Sequence, residues 1–412
     1  MSVGVTKKWS NPKLGGLAIG QIEDSHIRKG AAQLLENQSA GLSGKLFESF
    51  NTGVGASGAN SPVPSSGNGQ GIFAPVSMAL VRRTFPNLFA HKVVGVQPMA
   101  TPVGLAYALR FTYGSSDNEA AWNEVPKYSG FTGSTRGTSG TADEGIGADT
   151  DVAESWAIPG SGSTAYPDIG FRLDRTAIVA QTRKLAASFS IEAAQDIQAM
   201  HNVDIEKEIV QVLEYEVQAE LDRELLNRMK MSAIKNYGTV WADVPVFDAD
   251  TAGDGRWQQE KLSGLATKII DLANEVAIST KRGAGNFVIV SPKVATALQA
   301  SNVAFSAVDT SKVKATDTMA EIGTLNGNIK VYRDQYAGAS DYALVGFKGN
   351  GISDCGLIYS PYVTGVTNKA ISDEDFSPRI GVMSRYAITD SLNGTELYYR
   401  AVRVTNLAAV LS

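Results

Sequence analysis

The chain has 412 residues, of which 43% are apolar and 19% charged, and its formal net charge is −5 at neutral pH. That length exceeds the usual size of one compact domain, so we expect two or three lobes. No run of five Lys or Arg residues occurs, which removes the usual electrostatic reason to expect nucleic-acid binding. No stretch of eighteen apolar residues is present to span a membrane, and the single cysteine, Cys355, excludes an internal disulfide.

The N-terminal region is polar. Residues 1–72 read as one polar segment, with Gly, Ser and Asn crowded together in residues 51–71. A segment of this composition buries too little apolar surface to fold alone, so we expect a loose N-terminal arm. Order is expected from about Pro75, with a short helix over Val76–Arg83 that Pro86 would end.

Two apolar runs follow, Leu88–Val96 and Val103–Tyr113, and both are predicted as strands. Residues 114–168 are rich in Gly, Ser and Thr and are too numerous for an ordinary connection, so they should project as an extended loop. A returning strand is predicted over Ile178–Ile191, where apolar residues partly alternate with polar ones.

The strongest helical pattern comes next. Asn202 or Asp204 can cap its start, and acidic residues fill its first turns, where the helix dipole favours negative charge. The helix should end near Arg228 or Lys230, a length of about 25 residues and roughly 40 Å. Apolar residues recur at every fourth position along it: Ile205, Ile209, Leu213, Val217, Leu221 and Leu225.

The second half of the chain mixes helices and strands. A helix is predicted over Gln258–Lys281 and a strand–helix unit over Phe287–Val290 and Pro292–Ala300. Asn393-Gly394 between two apolar runs predicts a hairpin turn. Further strands are predicted at Lys330–Arg333, Ala343–Phe347, Leu357–Tyr359, Tyr386–Thr389 and Leu397–Val404.

No pattern indicates catalysis or ligand binding. The three histidines lie in the arm, in an apolar run and before the long helix, where packing or capping roles fit better than acid–base chemistry: His26, His91 and His201. Asp248 and Asp250 begin like a calcium loop, but Gln259 stands where calcium requires a bidentate Glu. Cys355 has no Cys or His at zinc spacing and is predicted to be a buried apolar residue. We therefore expect no catalytic, cofactor or metal site.

Several segments closely resemble the major capsid protein family of T-even-like tailed bacteriophages, in the same order, from about residue 76 to 387. The vertex paralogue of that family fits the first two segments less well. Residues 114–168 are also shorter than the inserted domain usual in the family, so the insertion looks reduced here. The segments include Val81-Arg82-Arg83-x-x-Pro86-Asn87, Gly95-Val96-Gln97-Pro98-Met99, Ala108-Leu109-Arg110, Arg183-Lys184-Leu185, Glu192-x-Ala194-Gln195-Asp196, Asp334-Gln335-Tyr336, Pro361-Tyr362-Val363 and Arg385-Tyr386.

The resemblance implies an α+β fold, the tailed-phage capsid fold of the Hong Kong phage type. The chain would begin with an N-terminal arm at 1–72 and the start of a peripheral domain at 73–97. An extended loop would follow at 98–190, with the reduced insertion at 114–168. The peripheral domain would continue at 191–284, with its spine helix at about 203–230, and an axial domain would occupy 285–365. The C-terminal strands at 366–412 would return to the peripheral domain. The family's assembly and fold motifs would map to Arg82, Arg83, Pro86, Asn87, Gln97, Pro98, Arg110, Arg183, Glu192, Asp196, Pro361, Tyr362 and Arg385.

The function implied is structural. Subunits would assemble into hexamers and pentamers of an icosahedral or prolate head that encloses double-stranded DNA without binding it specifically. Expected partners are a scaffold, a portal, a prohead protease, and vertex and decoration proteins; the protein would be made in the host cytoplasm and end in the virion capsid, with no cofactor and no membrane insertion. Two alternatives remain open at this point: a pentameric vertex paralogue and a carboxylate-dependent hydrolase.

Maturation cleavage is the last expectation from the resemblance. Prohead proteases of such phages cut after Glu when an apolar residue stands two positions earlier. Leu34-x-Glu36 and Leu46-x-Glu48 meet this rule with Leu. Glu48 is the better candidate, because the residues from Ser49 to Gly71 form the loosest stretch of the predicted arm.

Overall fold

The computed structural model describes Thr6, Ser10, Ile22, residues 24–42, 88–113, Thr150, Glu154, 169–250, 255–301, 305–307, 319–338, 340–349, Gly351, 354–372, 377–392 and 394–407. The helices in these ranges are α1 (Ser25–Leu42), α2 (Ala90–Val93), α3 (Ile191–His201), α4 (Ile205–Ile234), α5 (Gln258–Thr280) and α6 (Pro292–Ala300), with 3-10 turns at Trp241–Asp243 and Thr395–Tyr398.

The strands form three sheets. They are β1 (Gly95–Val96), β2 (Val103–Tyr113), β3 (Ile169–Val179), β4 (Gln181–Ser188), β5 (Val246–Asp248), β6 (Phe287–Val290), β7 (Phe305–Ala307), β8 (Met319–Leu325), β9 (Ile329–Asp334), β10 (Asp341–Gly346), β11 (Leu357–Ile371), β12 (Pro378–Asp390) and β13 (Tyr399–Thr405). One sheet has the order β1-β11-β12-β4, a larger one β5-β13-β10-β6-β9-β8-β7, and β2 pairs with β3 alone.

Helix α4 links the two larger sheets, since it contacts β4 and β12 of one and β13 of the other. Its start agrees with the prediction: Asp204 is the capping residue, and its Oδ1 accepts a hydrogen bond from the Glu206 N–H at 3.1 Å. The helix runs 30 residues and ends at Ile234 rather than near Lys230. It is longer than predicted because Met229, Ala233 and Ile234 remain buried in the core, while no helix-breaking residue intervenes before Gly238.

The predicted stripe of α4 supports a direct test. Leu213 is buried against Ile380 and Val382 of β12, whereas its neighbour Val212 is 58% exposed. Leu213→Asp should lower the free energy of unfolding by several kcal/mol, since it buries a carboxylate with no partner. Val212→Asp is the matched control and should change it by less than about 0.5 kcal/mol. Equal denaturation midpoints for the two variants would contradict this placement of the helix face.

Several other predicted elements agree with the structure. Helix α5 and strand β6 lie where their patterns predicted them, and α6 follows with Pro292 at its first turn. Their apolar faces meet in one core with β13 and β10, which includes Leu265, Ile269 and Val290. Cys355 is fully buried and its thiol donates to the Leu357 carbonyl at 3.1 Å, as expected of a packed residue.

The run Leu88–Val96 was wrongly predicted as a strand. Ala90–Val93 form a helical turn, and only Gly95 and Val96 pair, in parallel, with Ile358 and Tyr359. Every residue from Val93 to Val96 is buried, so the run shows no alternation. A short apolar run that is buried on all sides does not distinguish helix from strand.

The returning strand predicted over Ile178–Ile191 is two strands and the start of a helix. Strand β3 begins at Ile169, a break at Ala180 separates it from β4, and Ile191 opens α3. Ser190 is the N-cap, and its hydroxyl oxygen accepts from the Ala193 N–H at 3.2 Å. This local cap starts a helix at the point where the apolar alternation had favoured a continuous strand.

The hairpin predicted at Asn393-Gly394 is also wrong. Strand β12 lies between β11 and β4, whereas β13 lies between β10 and β5 in the other sheet. Asn393 is outside the described residues, and Gly394 takes a positive φ of 89° that leads into the Thr395–Tyr398 turn. The glycine therefore turns the chain from one sheet to the other, because both strands find better partners elsewhere.

The prediction of a loose N-terminal arm is wrong for residues 25–42, which form α1. Asp24 caps this helix by accepting from the His26 N–H at 2.8 Å, and Leu34 and Leu35 are buried in the main core. Other predictions lie outside the described residues: the Val76–Arg83 helix, the motif residues Arg82, Arg83, Pro86 and Asn87, the cleavage site Glu48 with Ser49, and nearly all of 114–168.

Candidate assembly surfaces

The most unusual surface is the two-stranded ribbon formed by β2 and β3. The strands pair antiparallel along their full length, from Val103 opposite Val179 to Tyr113 opposite Ile169. Residues directly opposite each other in such a pair point to the same side, and alternate residues point to opposite sides. The register therefore collects the odd-numbered residues of both strands on one face.

That face is apolar and exposed. Phe171 is 78% exposed and Leu173 is 60% exposed, and Leu109 lies directly opposite Leu173 in the register. Exposed apolar patches of this extent usually mark sites of association. The other exposed apolar side chains of the face are Val103, Leu105, Tyr107, Phe111, Ile169 and Val179.

The opposite face of the ribbon anchors its base to the body. Ala106 and Ile178 are buried with Met99, Tyr362 and Val363 in a small core. Away from this base the described ribbon has no third strand, and a two-stranded ribbon is only marginally stable by itself. A surface that covers the apolar face would therefore stabilise the ribbon as well as bind it.

The motif residues Pro361, Tyr362 and Arg385 meet at an irregular point of β11. The register against β12 shifts between Pro361 and Val363, and the Arg385 guanidinium lies 5.3 Å from the centre of the Tyr362 ring. At this irregularity the Tyr362 carbonyl accepts a hydrogen bond from Asn37 Nδ2 of α1 at 2.8 Å. Nothing in the sequence marked Asn37 as a partner of this site.

Arg183 connects three elements. From β4 its guanidinium donates to Glu220 at 2.8 Å and to Glu224 at 2.7 Å on α4, and Tyr386 of β12 donates to Glu224 at 2.6 Å. Burial, first, and the hydrogen bond to Glu224 raise the pKa of Tyr386 well above its usual value. The phenol therefore stays protonated and keeps donating throughout the physiological range.

A second polar cluster, the Asp334 cluster, joins α4 to the larger sheet. Asp334 is fully buried, and it accepts two hydrogen bonds at 2.8 Å from Arg223 and one at 2.5 Å from Tyr342. Lys230 Nζ lies 3.6 Å from the centre of the Tyr342 ring. Burial lowers the pKa of Lys230 to about 8, against an opposing pull from Asp334.

This cluster escaped the sequence analysis because its members lie far apart in the chain. Asp334 belongs to the family segment Asp334-Gln335-Tyr336, but no sequence pattern indicated that it would contact Arg223 or Lys230 of α4. A buried carboxylate needs a partner, so an Asp at the end of an apolar strand was the one available signal.

The remaining motif residues are more dispersed. Glu192 and Asp196 are exposed on α3, and Arg110 lies on the ribbon opposite Arg172. The Gln97 N–H donates to the Tyr359 carbonyl at 2.9 Å, which extends the β1–β11 pairing toward Pro98. The structure thus brings Pro361, Tyr362 and Arg385 together and pairs Arg183 of β4 with Glu220 and Glu224 of α4, while the other described motif residues share no single site.

Among the described residues, the histidines and Asp248 take part in local backbone and side-chain contacts. His26 Nε2 contacts the Val96 carbonyl at 3.1 Å, and His201 is the last residue of α3. Asp248 uses its Oδ1 to accept from the Asp250 N–H and from Asn406. Within the described ranges, no group of three His, Cys, Asp or Glu side chains could hold a metal ion, and no helix there is long and apolar enough to cross a bilayer.

Comparison with known proteins points to one family. The model of the family described as major capsid protein Gp23 matches residues 71–406. The chain is 30% identical to the major capsid protein of Enterobacteria phage T4 over 92% of this chain and 90% of that protein. It is 29% identical to the major capsid protein of Vibrio phage KVP40 over 94% of this chain and 92% of that protein.

Vibrio phage KVP40 also has a capsid vertex protein that resembles this chain, at 27% identity over only 57% of the chain and 72% of that protein. The similarity to the major capsid protein of the same phage is therefore much more extensive. Among solved structures, the capsid of Myoviridae phage XM1 aligns with 77% of this chain and 91% of its own, at 11% identity and a TM-score of 0.42.

Proposed function

The chain belongs to the major capsid protein family of T-even-like phages and forms the shell of the virion head, and from this premise we propose that its subunits close into hexamers and pentamers. The protein is structural rather than enzymatic. Rings of identical subunits require a contact between two different surfaces of each copy, because a self-complementary contact would stop at a dimer.

The apolar face of the β2–β3 ribbon carries this proposal. Its side chains are exposed in the single subunit, and the cost of leaving them in water is removed when a neighbour covers them. Residues 114–168, the predicted extended loop, connect β2 to β3 in the sequence, so we expect them to lie with the ribbon over an adjacent copy. The occupant we assign to this face is therefore a second copy of the chain.

We propose an assignment of the structural parts to the family's domains that moves α5 and the C-terminal strand β13 from the predicted peripheral domain to the axial domain. The seven-stranded sheet with α5 and α6 would contain the axial domain that meets around the ring axis, and α4 with the four-stranded sheet would form the peripheral domain. Strand β4 pairs with β12, so we assign it to the peripheral domain rather than to the extended loop. The Asp334 cluster would then hold the two domains together.

Assembly of the purified protein tests the proposal. Concentrated protein, viewed by electron microscopy and weighed by mass photometry, should give rings of six and closed shells with five-fold vertices. Rings of five alone would instead favour a vertex subunit, and a monomer at every concentration would refute self-assembly. Scaffold, portal and decoration proteins are further partners that this assembly would require, while the enclosed DNA would contact the shell without sequence preference.

We also expect the N-terminal segment to be trimmed after Glu48 during maturation. Glu36, the alternative, lies within α1 two residues after the buried Leu34, so a protease would have to unfold the docked helix to reach it. Mass spectrometry of subunits from mature particles should find a chain that starts at Ser49. A chain that starts at Met1 or Ser2 would contradict trimming, and one that starts at Asn37 would show that α1 does not protect its own backbone.

A further inference from the structure

Helix α1 completes the main core from a remote part of the chain. Its residues Ala31, Ala32, Leu34 and Leu35 are at most 1% exposed. They belong to the same core cluster as Val93, Val96 and Tyr359, and the helix contacts β11 directly. The body therefore presents a groove along α2, β1 and β11 whose apolar floor is covered by this helix.

Polar contacts fix the register of the helix in the groove. Asn37 Nδ2 donates at 2.8 Å both to the Met99 carbonyl and to the Tyr362 carbonyl, and Asn37 is only 5% exposed. Gln33 Nε2 holds the Asn37 amide by donating to its Oδ1 at 3.0 Å. At the other end, His26 Nε2 contacts the Val96 carbonyl at 3.1 Å. Polar contacts with the body therefore fix the position of the helix near both of its ends.

Helix α1 is connected to the body by a sequence outside the described residues. Helix α1 ends at Leu42 and the next described residue is Leu88, and the sequence between them contains the Gly-, Ser- and Asn-rich residues 51–71. A linker of that composition holds a segment near its site mainly by raising its effective concentration. The apolar side chains and the Asn37 contacts, by contrast, act whether or not the linker is intact.

We propose that the groove along α2, β1 and β11 is a binding site for the chain's own N-terminal helix, which stays bound after the linker is cut. Trimming after Glu48, if it occurs as proposed above, would then convert α1 into a separate peptide ligand rather than release it. Departure of the peptide would require the groove to change shape, because leaving it exposes apolar residues of the body to water. The order of events would be cleavage first, then release coupled to rearrangement of β1 and β11.

The test uses the full chain and does not depend on the phage protease. A recognition sequence for a site-specific protease is inserted after Gly58, within the Gly- and Ser-rich residues, and the folded protein is cut under native conditions. We expect the N-terminal fragment to co-elute with the body in size-exclusion chromatography at micromolar concentration and to separate only in denaturant. Elution of the fragment as a free peptide under these native conditions would overturn the proposal.

Two substitutions sharpen the result. Asn37→Ala removes both carbonyl contacts, so a labelled peptide of residues 22–42 with this change should compete with the bound fragment for the groove of the cut protein about tenfold less well, or worse, than the unchanged peptide. Lys29→Ala changes an exposed position of the same helix and should leave binding unchanged. Equal affinity of the three peptides would refute the assigned register. Failure of assembly would appear in microscopy and not in this binding measurement, so the two proposals can fail separately.

Discussion

Replacing Asp334 with alanine is expected to lower the free energy of unfolding by about 3–5 kcal/mol, the usual cost of breaking a buried ion pair from one side. The carboxylate is fully buried and accepts from Arg223 and from Tyr342. Its removal leaves the Arg223 guanidinium and the Lys230 ammonium without their counter-charge at the junction of α4 and the larger sheet. Chemical denaturation followed by circular dichroism measures the effect.

The pH dependence of this variant adds a second readout. Burial lowers the pKa of Lys230 to about 8 in the folded protein, and the charge of Asp334 opposes that shift. An unfolded lysine titrates near 10.4, so the charged Lys230 costs stability below its folded pKa, and this cost is relieved as the pH rises through it. Without Asp334 the folded pKa falls further, so the Lys230 part of the deficit should be present at pH 7 and absent at pH 9.

A matched control separates burial from charge. Glu220 also pairs with an arginine, Arg183, but its side chain is 50% exposed. Glu220→Ala should cost no more than about 1 kcal/mol, because solvent screens an exposed pair. Equal losses for Asp334→Ala and Glu220→Ala, or a deficit of Asp334→Ala that does not change between pH 7 and pH 9, would contradict the role assigned to the Asp334 cluster.

Strong local signals predicted several of the elements that the structure contains. In α4, the regular spacing of apolar residues and the cap at Asp204 both indicated a helix that starts at the same place. In the strand–helix unit at Phe287–Ala300, an apolar run indicated the strand, and Pro292 marked the start of the helix. In these places pattern, cap and burial all favour the same structure, so local reading suffices. The ribbon strand Val103–Tyr113 was also predicted from a local signal, its apolar run.

The failures occurred where tertiary contacts decide. Gly394 suits a hairpin, yet β12 and β13 pair with strands from distant parts of the chain. The spacing of Ile27, Ala31, Leu34 and Leu35 was helical, but the polar residues around them hid a short helix that is stable through its docking on β11. A sequence read in windows cannot show a groove supplied by residues sixty or more positions away.

Among the candidate sites, too, some features could be predicted from the sequence and others depended on tertiary contacts. A match to a family motif does not show which of its residues meet in space. The structure brings Pro361, Tyr362 and Arg385 together, while Glu192 and Asp196 lie exposed on α3. The apolar face of the ribbon, in contrast, could have been found from the sequence. Its recognition required only the pairing of β2 with the correct returning strand, Ile169–Val179.

Charging the apolar face of the ribbon is expected to abolish assembly while leaving the subunit folded. Phe171→Glu combined with Leu173→Glu places two carboxylates where a neighbour would cover them, and each buried, unpaired charge costs several kcal/mol. Because these side chains are 78% and 60% exposed in the single subunit, the free energy of unfolding should change by less than about 1 kcal/mol. The critical concentration for assembly should rise by more than about a hundredfold, as measured by light scattering.

The control lies on the other face of the same strand. Thr176 is exposed and pairs with Ala106, so Thr176→Glu adds a charge to the ribbon without touching its apolar face. We expect this variant to assemble at nearly the wild-type concentration. If Phe171→Glu/Leu173→Glu subunits formed shells as readily as Thr176→Glu subunits, the apolar face would not be an assembly contact. A second copy of the chain is the expected partner because a shell subunit surrounded by its own kind can leave such a face uncovered only until it assembles.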